Sequence, residues 1–303
     1  MGTPAFAVPS LRALAATTTL VGVVSQPDRP RGRGLTSQPS PVSAAANELG
    51  VPLFRPASVR TADTQAALAA WQPDILVVAA YGKILPPALL ALPTLAPINV
   101  HASLLPRYRG AAPIAASILA GDAATGITIM VMSAALDAGD MLLHRTLPIS
   151  AEDTTESLTT ALAELGATAL TEALGALRGA GLQAEPQDVG RVTYAPRLAK
   201  DDGRVDWQRE AAAIERMVRA FTPWPSAFTT LGGRTVKILA ARVASDGRAE
   251  GPPGTIAVHG SGLRVTTGSG VLEVVTVQAE GKKAMPAAAF AAGARLGSGA
   301  RFE

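Results

Sequence analysis

The run Asp74–Ala80 (DILVVAA) sets strand-forming aliphatic residues side by side with no polar alternation. A strand with one wet face alternates polar and apolar side chains. An unbroken run suits a strand covered on both faces, as in a parallel sheet flanked by helices. The surrounding chain repeats this texture. Leu20–Ser25 and Val51–Phe54 read as strands, and Val42–Leu49 and Thr64–Trp71 as helices. Further on, Ile114–Leu119 reads as a helix, and Gly126–Met132 and Met141–Leu147 read as strands. Thr154–Leu177 is a long Ala/Leu/Glu helix entered through a cap at Asp153 or Thr154. Strands alternating with helices predict an α/β fold with a doubly wound, mostly parallel sheet.

The texture then changes. Gly179–Pro196 is rich in Gly, Pro and Gln without periodicity, which predicts a linker. After a helix at Ala211–Phe221 come Thr235–Ala241, Gly254–His259, Gly262–Thr267 and Val271–Val277, short strands spaced like a small closed, OB-like β-barrel. The expected division is residues 1–182 as the α/β domain, 183–199 as the linker and 200–303 as the barrel.

With 48% hydrophobic and 17% charged residues the chain has ample material for packed cores. No apolar run approaches the roughly 18–20 residues of a membrane span. Met1–Ser10 lacks a basic stretch followed by an apolar one, so a cytoplasmic location is expected. There are no cysteines, which excludes disulfides, thiolate metal sites and thiol nucleophiles. Residues 1–197 carry 13 Lys/Arg against 14 Asp/Glu, whereas residues 198–303 carry 14 against 10. A basic second part suits contact with a polyanion, although surface scatter accounts for these counts equally well.

The richest stretch for chemistry is Ile98–Pro113, INVHASLLPRYRGAAP. Asn99 and His101 sit two apart, so an extended backbone points both to the same side. They lie at the carboxyl end of a predicted strand, where open α/β sheets place ligands. Asn offers a neutral amide N–H and His a proton near neutral pH, a pair suited to holding an acyl-transfer oxyanion. Asp137, in SAALDAGDM after the strand Gly126–Met132, can partner an imidazole and order a water for proton transfer. Taken singly, a strand-end His is more often structural and an Asp beside a glycine more often a turn residue.

The combination is more specific. N-V-H-A-S-L-L-P-R-Y-R-G-A-A-P-I, then T-G-I-T-I-M and L-D-A-G-D-M-L, resemble the folate-dependent formyltransferases, in the wording of their methionyl-tRNA branch. Supporting matches are Gly2-Thr3-Pro4, Gln26-Pro27-Asp28-Arg29-Pro30, Pro39-Ser40-Pro41-Val42, Ala80-Tyr81-Gly82, the Ala220–Pro225 segment and Gly281-Lys282-Lys283-Ala284-Met285. They span essentially the whole chain.

This resemblance implies formyl transfer from 10-formyltetrahydrofolate to the amino group of methionyl-initiator tRNA, for translation initiation, by a monomer that releases tetrahydrofolate. It implies Asn99, His101 and Asp137 as catalytic residues, folate contacts at Ser103, Leu104, Leu105 and Pro106 with Tyr81 and Gly82 nearby, and no metal. It further implies that the Pro/Gly-rich loop Pro27–Val42, carrying Arg29, Arg31 and Arg33, enters the tRNA acceptor end, with Arg33 as its key residue. Arg234, Lys237, Arg242, Lys282 and Lys283 of the barrel are candidates for phosphate contact. Trp207 and Trp224 are expected in core packing.

A formyltransferase acting on a small amine, such as glycinamide ribonucleotide or an amino sugar, would share Asn99, His101 and Asp137 without needing the arginine loop. An RNA-binding protein without catalysis is the reading from another class. Leu35-Thr36-Ser37 lack the lysines common in the family's loop, and Ala5, Ala102 and Ala135 replace frequent family residues. Family members also carry an apolar strand before Gly2-Thr3-Pro4. The expectation is therefore that Met1 is not the natural start and that about 4–8 apolar, β-branched residues precede it.

Overall fold

The computed structural model describes residues 1–31, 36–178, 183–245, 251–259, 262–294, 296 and 299–303. Contacts divide the chain into two compact units. One comprises Met1–Pro113, Ala124–Pro148 and Thr159–Pro196, the other Ile114–Ala123, Ile149–Leu158 and Arg197–Glu303.

In the first unit the strands are β1 (Val23–Val24), β2 (Arg29–Arg31), β3 (Thr36–Gln38), β4 (Leu53–Phe54), β5 (Ile75–Val78), β6 (Ala96–His101), β7 (Arg109–Gly110), β8 (Ala124–Val131), β9 (Met141–Pro148) and β10 (Tyr194–Ala195). Helices α1 (Val8–Thr17), α2 (Pro41–Glu48), α3 (Ala62–Ala69) and α4 (Pro87–Leu90) alternate with them; α5 (Pro113–Ala120) belongs from Ile114 on to the second unit, and α6 (Thr155–Arg178) to the first from Thr159 on. Local chemistry sets several boundaries. The Ser40 hydroxyl accepts from Ser43 N ahead of Pro41 to cap α2, and Thr61 accepts from Thr64 N to cap α3. Thr154 Oγ1 accepts from Ser157 N at the start of α6.

The α/β class expected from the sequence is the one observed. β5 and β6 pair in parallel, as do β1 and β4, while β6–β8 and β8–β9 are antiparallel. The site end of the sheet is therefore mixed, because β8 and β9 are joined as a hairpin with no helical crossover between them. Ile98, Ile127 and Ile129 are fully buried in it. Helix α6 approaches one face through Gly166, where an added Cβ would lie 3.0 Å from Val100 Cγ1. Val100 thus points at α6, and alternation turns Asn99 and His101 to the opposite face.

Between β1 and β5 the ladder is nearly empty. Among the described residues only Met1 and Gly2 enter it, with Gly2 N donating to Val24 O at 3.0 Å and Ala79 N donating to Met1 O at 2.9 Å. The Met1 α-amine donates to Val77 O at 2.5 Å. A cavity of about 380 Å³ continues beside it, lined by Val21, Val23, Trp71, Ile75 and Val77 among others. This explains why Ile75, Leu76 and Val77, an unbroken aliphatic run, are only half-buried.

The second unit contains α7 (Ala211–Ala220), β11 (Ala227–Leu231), β12 (Arg234–Val243), β13 (Ile256–His259), β14 (Gly262–Thr266), β15 (Val271–Ala279), β16 (Met285–Pro286) and α8 (Ala287–Ala294). The sheet runs in the order β11-β12-β15-β14-β13, with β16 on β15. All four expected strands are present, and β11 and the short β16 are two that the sequence did not suggest. The end strands β13 and β11 are bridged by the C-terminal segment. Phe302 N donates to Gly254 O, Ile256 N to Ala300 O, and Glu303 N to Thr230 O, all between 2.9 and 3.0 Å. Trp207 is buried as expected, stacked on Phe302 with its indole N–H donated to Thr229 Oγ1. Trp224 is not in the core. It is 54% exposed, in the turn that follows α7.

Candidate active site

Parallel pairing of Val78 with Asn99 brings the ends of β5 and β6 to one edge of the sheet. Tyr81–Gly82 follow one strand there, and His101 and Ser103–Pro106 follow the other. Tyr81 is buried, and its hydroxyl has no partner among the described residues. Burial pushes its phenol pKa above the usual value. Its carbonyl accepts from Gln26 Nε2 at 2.7 Å. Gly82 has φ +78, and an added Cβ would lie 2.8 Å from that same Gln26 nitrogen, so this turn requires glycine.

The Ser103–Pro106 segment is held by one buried threonine. Thr128 Oγ1, on β8 opposite His101, donates to Ser103 O at 2.7 Å and accepts from Leu105 N at 3.1 Å. Ser103 Oγ turns inward and donates to Arg107 O at 2.7 Å. Ser103, Leu105 and Pro106 are buried and Leu104 is half-exposed. Thr128 was not singled out from the sequence, where it is an ordinary strand residue in GITIMVM.

Asn99 is 9% exposed, and its side-chain amide bonds to none of the described residues. His101 is 6% exposed and lies 3.1 Å through Nε2 from Tyr108 O. A carbonyl only accepts, so Nε2 carries a proton in this arrangement. The other ring nitrogen, Nδ1, faces Asp137 Oδ2 at 3.8 Å, beyond direct hydrogen-bond range.

Asp137 reaches His101 by an unobvious route. Because β8 runs antiparallel to β6, its end at Val131 lies beside Ile98, near the start of β6. The connection to β9 folds back over the sheet, with Asp137 in the left-handed region at φ +47. Gly110 N then donates to Asp137 Oδ2 at 2.9 Å. The structure therefore brings together His101 and Asp137, with Asn99 two residues away on the same face.

The segment expected as a linker participates directly. Residues Tyr194–Ala195 pair in parallel with Arg109–Gly110, and Tyr108 N donates to Thr193 Oγ1. Gln187, 8% exposed, hydrogen-bonds both Arg109 and the Asp137 loop. No periodicity signalled these contacts, since each is made by a single residue in an irregular stretch.

A family model of formyl transferases matches residues 2–174, and a second, for the formyl transferase C-terminal domain, matches residues 197–295. The chain belongs to the formyl transferase family. Among its relatives, a methionyl-tRNA formyltransferase of Roseiflexus sp. (strain RS-1) is 47% identical over 304 residues, covering 100% of this chain and 94% of the relative. That of Thiobacillus denitrificans (strain ATCC 25259 / T1) is 49% identical over 303 residues, covering 99% and 97%. In three dimensions the chain resembles an N-formyltransferase from Helicobacter canadensis at TM-score 0.68 and 15% identity, covering 90% of this chain and 96% of that one. That likeness speaks for the fold alone.

The predicted tRNA contacts divide into three groups. Arg29 and Arg31 lie in β2, which forms an antiparallel hairpin with β3. Arg33 lies outside the described residues. Lys282 and Lys283 are exposed in the turn after β15. Arg234 is exposed, Lys237 half-exposed, and Arg242 forms a two-pronged pair with Glu273 at 2.9 and 3.1 Å. Hydrogen bonds from Arg242 hold the Glu273 carboxyl below its usual pKa. Among the described residues no helix is long and apolar enough to cross a membrane.

Proposed function

We infer that this chain transfers the formyl group of 10-formyltetrahydrofolate to the amino group of methionyl-initiator tRNA. One observation supports the assignment of the site: the His101 ring faces the Asp137 carboxylate, and Asn99 lies two residues back on the same face of β6 with its amide bonded to none of the described residues. The neutral amine attacks the formyl carbon on N10, forming a C–N bond and a tetrahedral oxyanion. The Asn99 N–H donates to that oxygen, joined by His101 through Nδ1, since Nε2–H is held by Tyr108 O. As the intermediate collapses, the C–N10 bond breaks, the amine gives up a proton and N10 gains one. Asp137 orients His101 and holds the water through which that proton passes. Preorganised donors of this kind are each worth roughly 10²–10³ in rate.

The methionyl-tRNA acceptor is supported by relatives that share nearly half their residues over the full chain. The arginine hairpin and the lysines after β15 suit a phosphate-rich partner. The same reading implies a monomeric, cytoplasmic enzyme. His101→Ala or Asp137→Asn is expected to lower turnover with formylfolate and charged initiator tRNA by at least about 10²-fold, with tRNA affinity within a few-fold of wild type. Near-normal turnover in either variant would remove that residue from the chemistry.

A further inference from the structure

Asp137 stands in a backbone conformation that a non-glycine residue seldom adopts, and its carboxylate must still meet His101. Something must hold this loop. The described structure supplies a closed ring of bonds. Gln187 Nε2 donates to Asp137 O at 2.9 Å and to Gly139 O at 2.7 Å. Gln187 Oε1 accepts from Arg109 Nε at 3.0 Å and from Arg109 Nη2 at 2.7 Å. Arg109 is covalently followed by Gly110, whose N–H donates back to Asp137 Oδ2 at 2.9 Å. Both protons and both lone pairs of the Gln187 amide are used, and none is left for solvent or ligand.

We propose that Gln187 is a positioning residue for the proposed formyl transfer, tying the Asp137 loop to Arg109–Gly110 so that the Asp137 carboxylate is presented to His101. Only an uncharged amide fits between these two partners. A carboxylate would satisfy the Arg109 guanidinium but set an oxygen against two carbonyls. An ammonium or second guanidinium would satisfy the carbonyls but repel Arg109. Glutamine alone offers two donors on one edge and two acceptor sites on the other at this length. Because every donor and acceptor of the Gln187 amide is taken up within the ring, its side chain holds the loop and has no group left to offer a substrate. Its influence on chemistry runs through Asp137.

This proposal rests on the catalytic reading of Asp137, and the test separates the two. Gln187→Glu keeps the bond to Arg109 and loses both donations to the loop. Its kcat should fall by about 10²-fold, the loss typical of a reacting group misplaced by about an ångström. KM for formylfolate and for tRNA should stay within a few-fold in assays run well below the variant's thermal midpoint, which the carboxylate facing two carbonyls should lower. Asp137→Asn should lower kcat by itself, and the double variant Asp137→Asn, Gln187→Glu should be no slower than Asp137→Asn, because both changes act on one element. Gln187→Met, which removes all four bonds without adding charge, should show the same kcat loss and the same lack of additivity.

If Asp137→Asn retains full turnover, the catalytic reading itself fails. If Asp137→Asn is impaired while Gln187→Glu and Gln187→Met keep wild-type kcat, the positioning role is overturned. Losses that add fully in the double variant, or that are accounted for by a smaller folded fraction at the assay temperature, would make Gln187 a purely structural residue and would also overturn it.

Discussion

The most unusual charge in the molecule is the α-amine of Met1. It is enclosed between β1 and β5, and desolvation lowers its pKa from 8.0 to about 5. The sign of the linkage follows directly. Between these values the unfolded chain holds the proton and the folded chain does not, so folding releases a proton and stability rises with pH. The full stability is present above pH 8, is lost progressively as pH falls from 8 to 5, and does not change further below 5. The fall from 8.0 to about 5 corresponds to about 4 kcal/mol, a large share of a typical 5–15 kcal/mol. Acetylating this amine removes the titration and keeps an N–H for Val77 O, and the adjoining cavity of about 380 Å³ has room for the acetyl group. Urea unfolding of the free and acetylated 303-residue chains, with Met1 retained, would be compared from pH 5 to pH 8. Every other titrating group cancels in the difference. The acetylated chain should gain on the free chain by about 4 kcal/mol as pH drops from 8 to 5. Parallel curves would refute the reasoning and mean that the amine finds water.

Arg33→Ala should raise KM for tRNA and reduce the log–log salt slope by about one unit, whereas Arg242→Ala, whose charge is already paired with Glu273, should leave that slope unchanged in a filter-binding assay. Gly139→Ala would drive a Cβ into Val131 O beside the Asp137 loop, so kcat should fall well before formylfolate binding does. Trp207→Ala removes the stack on Phe302 from the segment that bridges β11 and β13, and should cost about 3–5 kcal/mol in a denaturant titration of the whole chain.

Elements whose cause is local were legible in the sequence. The aliphatic run of β5, the capped start of α6, and the two-residue spacing of Asn99 and His101 each express a period or a cap contained in a few neighbouring residues. Backbone alternation is a covalent property, so the shared face of Asn99 and His101 followed from their numbers alone. The sequence also marked Ile75–Val77 as part of a strand covered on both faces, whereas in the structure they form a strand but are only half-buried, at the end of the β5-β6-β8-β9 sheet. Three things were decided only by tertiary structure. The antiparallel β8–β9 hairpin requires the loop after Val131 to fold back, and that return is what sets Asp137 beside His101. The irregular stretch around Gln187 braces this loop through bonds to residues 50 and 78 positions away. The last four residues bridge β11 and β13, although no pattern in Ala300–Glu303 marks them as strand. In each case the deciding interaction joins backbone or amide groups distant in sequence, and hydrogen bonding between such groups leaves no periodic trace in the residues that make it.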